Sequence, residues 1–384
     1  MARISGRTAL SFSRESKAVQ YVLVFRNHDS NTKSLIRAGF SRSKKKVVEL
    51  LRILIGGAEN FHPKVLEELG ERYEVVKSPV PVMDEKQLCE KIADAAIFIM
   101  AGDERITPRV LDSAKKLKIV GYFGVGVDAD YFKGGSLEIL TKKSIPIIYT
   151  PGANAGAVAE MTVALIFDIL KKSTYLNGIV KKGSWTHYTT WELSGKILGV
   201  VGAGNIGQKV ARMLHKGLDM KIMYYDVIRR SDIENELGAE FTDLRTLLVG
   251  SDIVTLHTPL LPQTRHMIGE QQLKIMKRTA YLINSARAYL VDPVALHKAL
   301  SQRWIAGAAF DAYYSEPTPQ PEEDPHHLLM LSDELFLCTP HTGFNTSEAN
   351  EACSRTLAQG INQIMDEKKS NLVFNPDYAK SLKA

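Results

Sequence analysis

Cysteine is scarce in this sequence, which has only three among 384 residues, far apart along the chain at Cys89, Cys338 and Cys353. Such spacing matches neither a disulfide framework nor the paired ligands of a zinc site. Long apolar runs are also missing, because none approaches the roughly 18 residues that a membrane-spanning helix needs. We therefore expect a globular protein from a reducing compartment, with no metal centre and no membrane contact.

Acidic residues are nearly missing from residues 1–46, where eleven Lys and Arg residues outnumber Glu15 and Asp29. The formal charge of +6 for the whole chain comes from this segment, and the remaining residues are mildly acidic in sum. A DNA-binding surface on the globular part is therefore not expected, and we predict no nucleic-acid partner.

The same basic segment is rich in Ser and Arg, a composition typical of mitochondrial transit peptides. A disordered basic tail and translated upstream codons are alternative explanations. We interpret residues 1–46 as a basic N-terminal extension. The expected location is the cytoplasm, or the mitochondrion if this extension is a transit peptide.

From Leu51 to residue 150, short apolar runs alternate with segments of helical periodicity. "LRILIGG" and "AIFIM" are typical of buried strands, and "PKVLEELGERY" between them is typical of an amphipathic helix. Repeated alternation of this kind predicts a parallel sheet with right-handed crossovers. This part of the chain is therefore expected to form an α/β domain of its own.

A second alternation begins after residue 150 with a long apolar-faced helix, "AGAVAEMTVALIFDILKKSTYL". Six predicted strands follow: "KILGVVGAG", "KIMYYD", "SDIVTLH", "AYLINSA", "IAGAAFD" and "ELFLCTP". Six strands with helices between them fit the doubly wound dinucleotide-binding fold. A last helix, "SEANEACSRTLAQGINQIM", is predicted to return to the first domain.

A glycine fingerprint follows the first of these six strands. Gly202, Gly204 and Gly207 have the Gly-x-Gly-x-x-Gly spacing, and Asn205 and Ile206 open the helix behind it. The first glycine allows the tight turn, the second lets the backbone approach a pyrophosphate, and the third lets helix and strand pack closely. The alternative is a glycine turn that binds nothing, but the strand and helix around it favour dinucleotide binding.

The next strand ends at Asp226, nineteen residues after the last fingerprint glycine. An acid at about this spacing accepts hydrogen bonds from the ribose hydroxyls of NAD and repels the 2′-phosphate of NADP. We therefore predict NAD as the cofactor. Arg229 and Arg230 follow closely, so some tolerance of NADP stays open.

Three later strands are each followed by ionisable residues. Arg287 follows "AYLIN", Asp311 and then Glu316 follow "IAGAAF", and His341 follows "ELFLC". Ligands of open α/β sheets bind outside the carboxyl ends of the strands, so these side chains are expected near one another. Each alone has an ordinary alternative, such as a surface ion pair, and His257 also follows a strand. Together they are the groups that reduction of a 2-oxo acid needs.

These segments resemble the D-isomer-specific 2-hydroxyacid dehydrogenases, a group that includes glyoxylate and hydroxypyruvate reductases, phosphoglycerate and formate dehydrogenases, and C-terminal-binding corepressors. The resemblance covers about residues 50–380. Its motifs are "FGVGVDADYF", "PGANAGAVAE", "GKILGVVGAGNIG", "SDIVTLHTPLLPQT", "NSARAYLVD", "GAAFDAYYSEP" and "TPHTGF". The Arg-Gly that is usual in the family is Arg287-Ala288 here.

The resemblance implies an architecture of two Rossmann-like α/β domains joined by two crossings. A flavodoxin-like substrate domain would comprise residues 47–150 plus 343–384, and a doubly wound NAD-binding domain would comprise residues 151–342. It also implies hinge closure over the nicotinamide and a homodimer formed through the cofactor domain. The apolar surface of the long helix from Ala153 is consistent with such an interface.

The resemblance also implies roles for individual residues. Arg287 would bind the carboxylate of the substrate and polarise its C2 carbonyl, using a planar guanidinium suited to two oxygens. His341 would donate the proton as hydride arrives from NADH, and Glu316 would orient this imidazole and favour its charged form. The backbone N–H groups of Val125 and Gly126 would bind the substrate carboxylate. A structural glycine turn is the alternative for this last segment.

The nicotinamide end of the cofactor is expected near Thr258, Ala286 and Asp311, which resemble family positions in contact with it. A small 2-oxo acid of the glyoxylate or hydroxypyruvate type is the expected substrate, reduced to the D-2-hydroxy acid.

Phosphoglycerate dehydrogenase activity is the main alternative. Those enzymes commonly read "RS" where this chain has Ala101-Gly102, but Arg105 and Arg109 stand nearby. Formate dehydrogenases typically carry Gln at the position of Glu316, so that branch is disfavoured. A corepressor-like protein that binds NAD and peptides is the alternative from another class, on analogy of fold alone.

Overall fold

This computed structural model describes residues 21–24, 35–38, 50–126 and 131–379. Strands β1 (Tyr21–Val24) and β2 (Leu35–Ala38) pair antiparallel in a two-stranded sheet. The rest of the basic segment, and with it the transit-peptide interpretation, lies outside the described residues. None of the described helices is both long and apolar enough to cross a membrane.

The chain forms two compact units. The first comprises Met1–Phe123, Ala129–Tyr149 and Leu357–Ala384, and the second comprises Gly124–Asp128 and Thr150–Thr356.

The first unit contains a five-stranded parallel sheet in the order β4-β3-β5-β6-β7. Its strands are β3 (Arg52–Gly56), β4 (Glu74–Lys77), β5 (Ile97–Met100), β6 (Ile119–Tyr122) and β7 (Ile147–Ile148). Its helices are α1 (Pro63–Gly70), α2 (Glu85–Ile92), α3 (Pro108–Ser113) and α4 (Ser136–Lys142). This strand order is that of flavodoxin-like folds, so the predicted fold of this unit is confirmed. Helix α4 is an addition to the predicted elements.

Local sequence explains where these helices begin. The Asp84 carboxylate accepts a hydrogen bond from the Gln87 backbone N–H, and the Gln87 side chain accepts one from the Asp84 N–H, which is a capping box at the start of α2. Thr107 caps α3 in a similar way, and Pro108 occupies its first position, where no N–H is needed. Strands β5 and β6 are entirely buried, as their unbroken apolar runs predict.

The second unit contains a seven-stranded parallel sheet in the order β10-β9-β8-β11-β12-β13-β14. Its strands are β8 (Ile197–Val201), β9 (Lys221–Tyr225), β10 (Glu240–Phe241), β11 (Ile253–Leu256), β12 (Tyr281–Asn284), β13 (Gly307–Phe310) and β14 (Phe336–Cys338). All six predicted strands are present, and the doubly wound fold is confirmed. The seventh, β10, was not predicted because its two residues are exposed at the sheet edge and carry no apolar run.

Helices cover both faces of this sheet, with a separate apolar core on each face. The helices that follow residue 150 are α5 (Ala155–Lys171), α6 (Ser173–Lys181), α7 (Asn205–Leu218), α8 (Ser231–Leu237), α9 (Leu244–Gly250), α10 (Glu270–Ile275), α11 (Pro293–Ser301) and α12 (Ser347–Glu367). Of these, α6 buries no residue, and α12 contributes Leu357 and Ile361 to the core of the first unit. Short 3₁₀ turns occur at Ala58–Asn60, Lys133–Gly135, Ala288–Leu290, Pro321–Glu323 and Pro376–Ala379.

The long helix predicted after residue 150 is interrupted at Lys172, which has a left-handed backbone with φ of 55°. The Asp168 carboxylate accepts hydrogen bonds from the Thr174 backbone N–H and the Ser173 hydroxyl. The bond from Thr174 satisfies a backbone N–H at the start of α6, which has no partner within the helix. The apolar pattern of the sequence did not reveal this interruption.

The return to the first unit falls inside α12, between Thr356 and Leu357, and not at residue 343 as the sequence suggested. Residues near 343 stay with the second unit because the Gly343 N–H donates to the Asp311 carboxylate, 2.8 Å away. The Thr150 hydroxyl also contacts Cys353 Sγ at 3.5 Å within this unit. The first half of α12 is thereby held by the second unit.

Glu104 is a fully buried acid of the first unit, just beyond β5. Its carboxylate packs against Gly56 and Gly102, at the carboxyl ends of β3 and β5, where any Cβ would collide with it. Neither carboxylate oxygen has a hydrogen bond of normal geometry in the described part of the chain. Burial raises the pKa of Glu104, and nearby backbone N–H groups, including that of Met83, offset this only in part.

Stability of the first unit should therefore depend on the proton of Glu104. Because folding raises this pKa, its stabilising contribution is complete below the unfolded value and is lost as the pH rises through the folded value. Glu104→Gln keeps the shape without the charge, so we expect the variant to gain stability relative to the parent as pH rises, by about 1–3 kcal/mol. Urea unfolding at several pH values measures this difference.

Glu90→Gln, at an exposed position of α2, is the matched control. A difference between Glu104→Gln and the parent that does not change with pH would contradict the prediction.

Candidate active site

The turn between β8 and α7 requires glycine at two of the three fingerprint positions. Gly202 has φ of +94°, and a Cβ there would lie 2.8 Å from the carbonyl carbon of His257. A Cβ on Gly207 would collide with the carbonyl oxygen of Gly202. A Cβ on Gly204, by contrast, would have no atom within 4 Å among the described residues. Open space outside this backbone is what the approach of a pyrophosphate requires.

The N-terminus of α7 is directed at the same space. Gly204 is its N-cap and provides no side-chain oxygen for the first N–H groups. The side chain of Asn205 lies against Gly152, because a Cβ built on Gly152 would be 2.9 Å from Nδ2 of Asn205. The next residue, Ile206, packs against an apolar core of the second unit. Uncapped N–H groups and the positive end of the helix dipole suit a phosphate group. These residues therefore fit a dinucleotide.

Asp226 directly follows β9, beside this turn. Its Oδ2 accepts a hydrogen bond of 2.8 Å from the Ala203 N–H, which fixes the carboxylate next to the glycine turn. Arg230 lies 3.7 Å from the same oxygen, and Arg229 donates to Glu234 at 2.9 Å. Both arginines are thus engaged by acids of this unit. An aspartate at this position fits the ribose of NAD better than the 2′-phosphate of NADP.

The order of the sheet places the other candidate residues at one edge. Strands β12, β13 and β14 are parallel neighbours, so their carboxyl ends lie side by side. Arg287, Asp311 and His341 each follow one of these three ends. Glu316 follows Asp311 in the loop that leaves β13.

Glu316 and His341 are in hydrogen-bond contact within the second unit. The two carboxylate oxygens lie 3.1 and 3.2 Å from Nδ1 of His341. Burial alone would raise the pKa of Glu316, but the hydrogen bond to His341, the charges of His341 and Arg287 and the Tyr313 N–H lower it below its usual value. Glu316 is therefore ionised at neutral pH, beside an imidazole that it can orient.

Arg287 is fixed by its own loop. The Asn284 side chain, at the end of β12, donates to the carbonyl of Arg287 at 2.9 Å and accepts from the N–H of Ala286 at 3.1 Å. Nη1 of Arg287 donates to the carbonyl of Ala286. A Cβ on Gly126 would lie 3.0 Å from Nη2, so the backbone of this glycine lies against the guanidinium. The half-buried Val125 precedes it.

Asp311 binds the loop that carries His341. Its Oδ1 accepts from the Thr339 hydroxyl at 2.6 Å and from the Thr342 N–H at 3.0 Å, and its Oδ2 accepts from the Gly343 N–H. The sequence predicted a contact of Asp311 with the nicotinamide end of the cofactor. The structure shows both oxygens engaged by residues on either side of His341.

His257, the other histidine that follows a strand, is in a different environment. Its Nε2 lies 2.9 Å from the Thr255 hydroxyl, and burial lowers the pKa of His257 to about 3. This imidazole is neutral at any physiological pH, whereas His341 has a carboxylate partner. Thr258, next in the chain, contacts Met267 Sδ at 3.6 Å, and its backbone nitrogen lies against Gly202.

Two features of the site were not found from the sequence. Asn284 lies within a predicted strand and is 1% exposed, so only its hydrogen bonds reveal that it positions the Arg287 loop. The low pKa of His257 likewise depends on burial, which the sequence does not show. Across the described residues, no group of three His, Cys, Asp or Glu side chains lies close enough together to hold a metal ion.

Comparison with known proteins agrees with this geometry. A model of the D-isomer-specific 2-hydroxyacid dehydrogenase NAD-binding domain matches residues 163–343. A glyoxylate reductase of Thermofilum pendens is 37% identical over 302 residues, which are 77% of this chain and 86% of that protein. A D-3-phosphoglycerate dehydrogenase of Methanocaldococcus jannaschii is 35% identical over 82% of this chain, which spans 57% of that longer protein.

A solved structure also resembles this chain. The D-lactate dehydrogenase of Aquifex aeolicus, in complex with NAD and lactic acid, superposes with a TM-score of 0.68 at 25% identity. The match covers 86% of this chain and 97% of that one.

Two parallel α/β units, with a dinucleotide fingerprint after the first strand of the second, define an NAD-dependent dehydrogenase. Within this class, the chain belongs to the D-isomer-specific 2-hydroxyacid dehydrogenase family. It is therefore an oxidoreductase of 2-hydroxy acids that uses NAD.

Substitutions of two fingerprint glycines are expected to affect different properties, one the stability of the fold and the other the binding of NADH. Gly207→Ala collides with the Gly202 carbonyl, so we expect it to destabilise the protein by about 1–3 kcal/mol. Gly204→Ala has allowed backbone angles and free space, so its unfolding temperature without cofactor should equal that of the parent. Its added methyl group should nevertheless weaken NADH binding about tenfold or more, because it occupies the pyrophosphate approach.

Thermal unfolding without cofactor and fluorescence titration with NADH measure the two effects. Parent-like NADH affinity in Gly204→Ala would show that the pyrophosphate does not bind at this turn.

Proposed function

We propose that this protein reduces a small unphosphorylated 2-oxo acid, of the glyoxylate or hydroxypyruvate type, to the D-2-hydroxy acid. The observation that carries this proposal is the pair of Glu316 and His341, held beside Arg287 at the carboxyl edge of the second sheet. These groups supply the carboxylate ligand and the proton donor that the reaction needs. The family membership supplies the reaction class.

The hydride that reduces C2 is the chemistry that NADH supplies when bound. Arg287 binds the substrate carboxylate and draws electron density towards the C2 oxygen. The N–H groups of Val125 and Gly126, next to this guanidinium, assist in binding the carboxylate. His341 has Nδ1 bound to Glu316, so Nε2 gives its proton to the C2 oxygen as the carbon accepts hydride. In the oxidation direction, the same nitrogen accepts the proton.

For the cofactor, we propose that the fingerprint glycines and the N-terminus of α7 bind the pyrophosphate and that Asp226 binds the ribose. Thr258 and Ala286 lie at the sheet edge where the nicotinamide end would reach. The second unit is then the NAD-binding domain and the first the substrate domain. Asp311 was expected near the nicotinamide together with Thr258 and Ala286. Its hydrogen bonds to the Thr342 and Gly343 N–H groups favour a different role, the support of the loop that carries His341.

The unphosphorylated substrate is supported by two observations. Ala101-Gly102 stands where a phosphate-binding arginine is expected in phosphoglycerate dehydrogenases, and the Thermofilum pendens relative is a glyoxylate reductase. Phosphohydroxypyruvate is the second candidate, because the relative from Methanocaldococcus jannaschii is a D-3-phosphoglycerate dehydrogenase. Arg105 and Arg109 are basic residues of the same region.

A homodimer formed through the cofactor unit is part of the proposal. Its support is α5, where Phe167 stays 37% exposed although eight other residues of the helix are buried. A cytoplasmic location is the accompanying proposal, and a mitochondrial one remains if residues 1–46 are a transit peptide.

Rates of NADH oxidation with glyoxylate, hydroxypyruvate, pyruvate and phosphohydroxypyruvate test the substrate class. We expect the highest kcat/KM with one of the first three. A clear preference for phosphohydroxypyruvate would favour the second candidate, and no turnover with any of them would refute both.

His341→Ala tests the proton donor. Loss of general acid catalysis should lower kcat by about 10²–10⁴-fold, while the dissociation constant of NADH changes by no more than about twofold. Stopped-flow reduction rates and NADH fluorescence titration measure the two quantities. An equally large loss of NADH affinity would place His341 in the cofactor site, and unchanged kcat would refute its role.

A further inference from the structure

We propose that Asp324, bonded to Tyr313, is a positioning residue that holds Glu316 against His341. This inference rests on the proposed function, in which Glu316 and His341 act on the substrate. Asp324 belongs to the Pro-rich acidic segment "SEPTPQPEEDPHH", in which it is one of several acids. The structure separates it from the other acids of this segment.

Asp324 is 1% exposed, whereas Glu322 and Glu323 are exposed. Four donors converge on its carboxylate. They are the Tyr313 hydroxyl at 2.5 Å and the backbone N–H groups of His326 at 3.1 Å, Leu328 at 2.7 Å and Leu329 at 3.0 Å. Asp324 thus binds Tyr313, which precedes it in the chain, and the backbone of residues 326–329, which follow it.

The loop that contains Glu316 has little other regular support. Between β13 and β14, where every residue is described, the chain forms only a single turn of 3₁₀ helix, at Pro321–Glu323. The bond from Tyr313 to Asp324 closes this segment into a ring, and Glu316 lies within that ring. The carboxylate of Glu316 therefore depends on side-chain anchors for its place.

Tyr313 connects Asp324 to the segment that carries Glu316, the carboxylate in contact with His341. Its side chain is buried and donates to Asp324, while its backbone N–H lowers the pKa of Glu316. Tyr313 lies three residues before Glu316, so a displacement of Tyr313 would move the backbone that carries this carboxylate.

The charge of Asp324 suits this role. Burial alone would raise its pKa, but the hydrogen bonds from Tyr313 and from the N–H groups of Leu329, His326 and Leu328 together lower it. An ionised carboxylate accepts from all four donors. Asparagine has the same shape but offers one acceptor oxygen and an NH₂ group that repels these donors.

Asp324→Asn and Tyr313→Phe test the proposal. With Glu316 less firmly held, its pKa should rise towards the ordinary value, so the acid limb of the pH profile of kcat/KM should move to higher pH. We expect kcat to fall about tenfold or more, while the KM for the 2-oxo acid changes less and NADH affinity stays within about twofold. Tyr313→Phe keeps the carboxylate and its backbone partners, so it carries the test if Asp324→Asn does not fold.

Asp252→Asn is the matched control. Asp252 is half-buried and accepts hydrogen bonds from the Ile197 N–H and from Lys277, but it precedes β11, at the opposite edge of the sheet. We expect this variant to lower the unfolding temperature without moving the acid limb. If Asp324→Asn and Tyr313→Phe behave like Asp252→Asn, the role of Asp324 is structural only and the proposal is refuted.

A readout without turnover keeps this test separate from that of the proposed function. Carbon-13 NMR of the glutamate carboxyl groups, with Glu316→Gln to identify the signal, gives the pKa of Glu316 directly. A parent protein inactive with every 2-oxo acid would refute the proposed function alone. An unchanged pKa of Glu316 in both variants would refute the positioning role, whatever the activity.

Discussion

The parallel pairing of β8 with β11 through β14 is the constraint on which the site depends. Parallel neighbours end at the same edge, so loops from distant parts of the sequence meet there without any long-range sequence signal. This edge receives the glycine turn after β8 and the loops that carry Arg287, Glu316 and His341. The sheet itself is held by two apolar cores, and it can therefore present polar groups on its loops without losing stability.

Buried polar side chains then fix these loops. Asn284 binds both sides of the Arg287 loop, Asp311 binds the N–H groups that follow His341, and Asp324 closes the loop of Glu316. Each of the three is nearly inaccessible to solvent and fully engaged in hydrogen bonds, which makes its displacement costly. Arg287, Glu316 and His341 stay partly exposed, whereas the side chains that fix their loops are buried.

Prediction from the sequence succeeded where a local pattern determines the structure. Apolar runs and helical periods identified the strands of both sheets, and glycine spacing identified the turn before α7. It was less successful where a local pattern is weak or ambiguous. The exposed two-residue β10 has no apolar run, and Lys172 interrupts what the sequence predicted as one long helix. Of the candidate catalytic residues, Glu316 and His341 are in direct contact, and the site as a whole stays a prediction.

The sequence by itself therefore determined the two α/β units, the family and the edge at which the candidate residues lie, because periodicity and motif spacing are properties of neighbouring residues. Only the tertiary structure decided that Asp311 binds the loop of His341 and that Glu104 is buried. Hydrogen bonds between residues tens of positions apart, and the burial that shifts a pKa, arise only when the chain has folded. No local pattern encodes them, since the same side chains in another loop would be exposed and solvated.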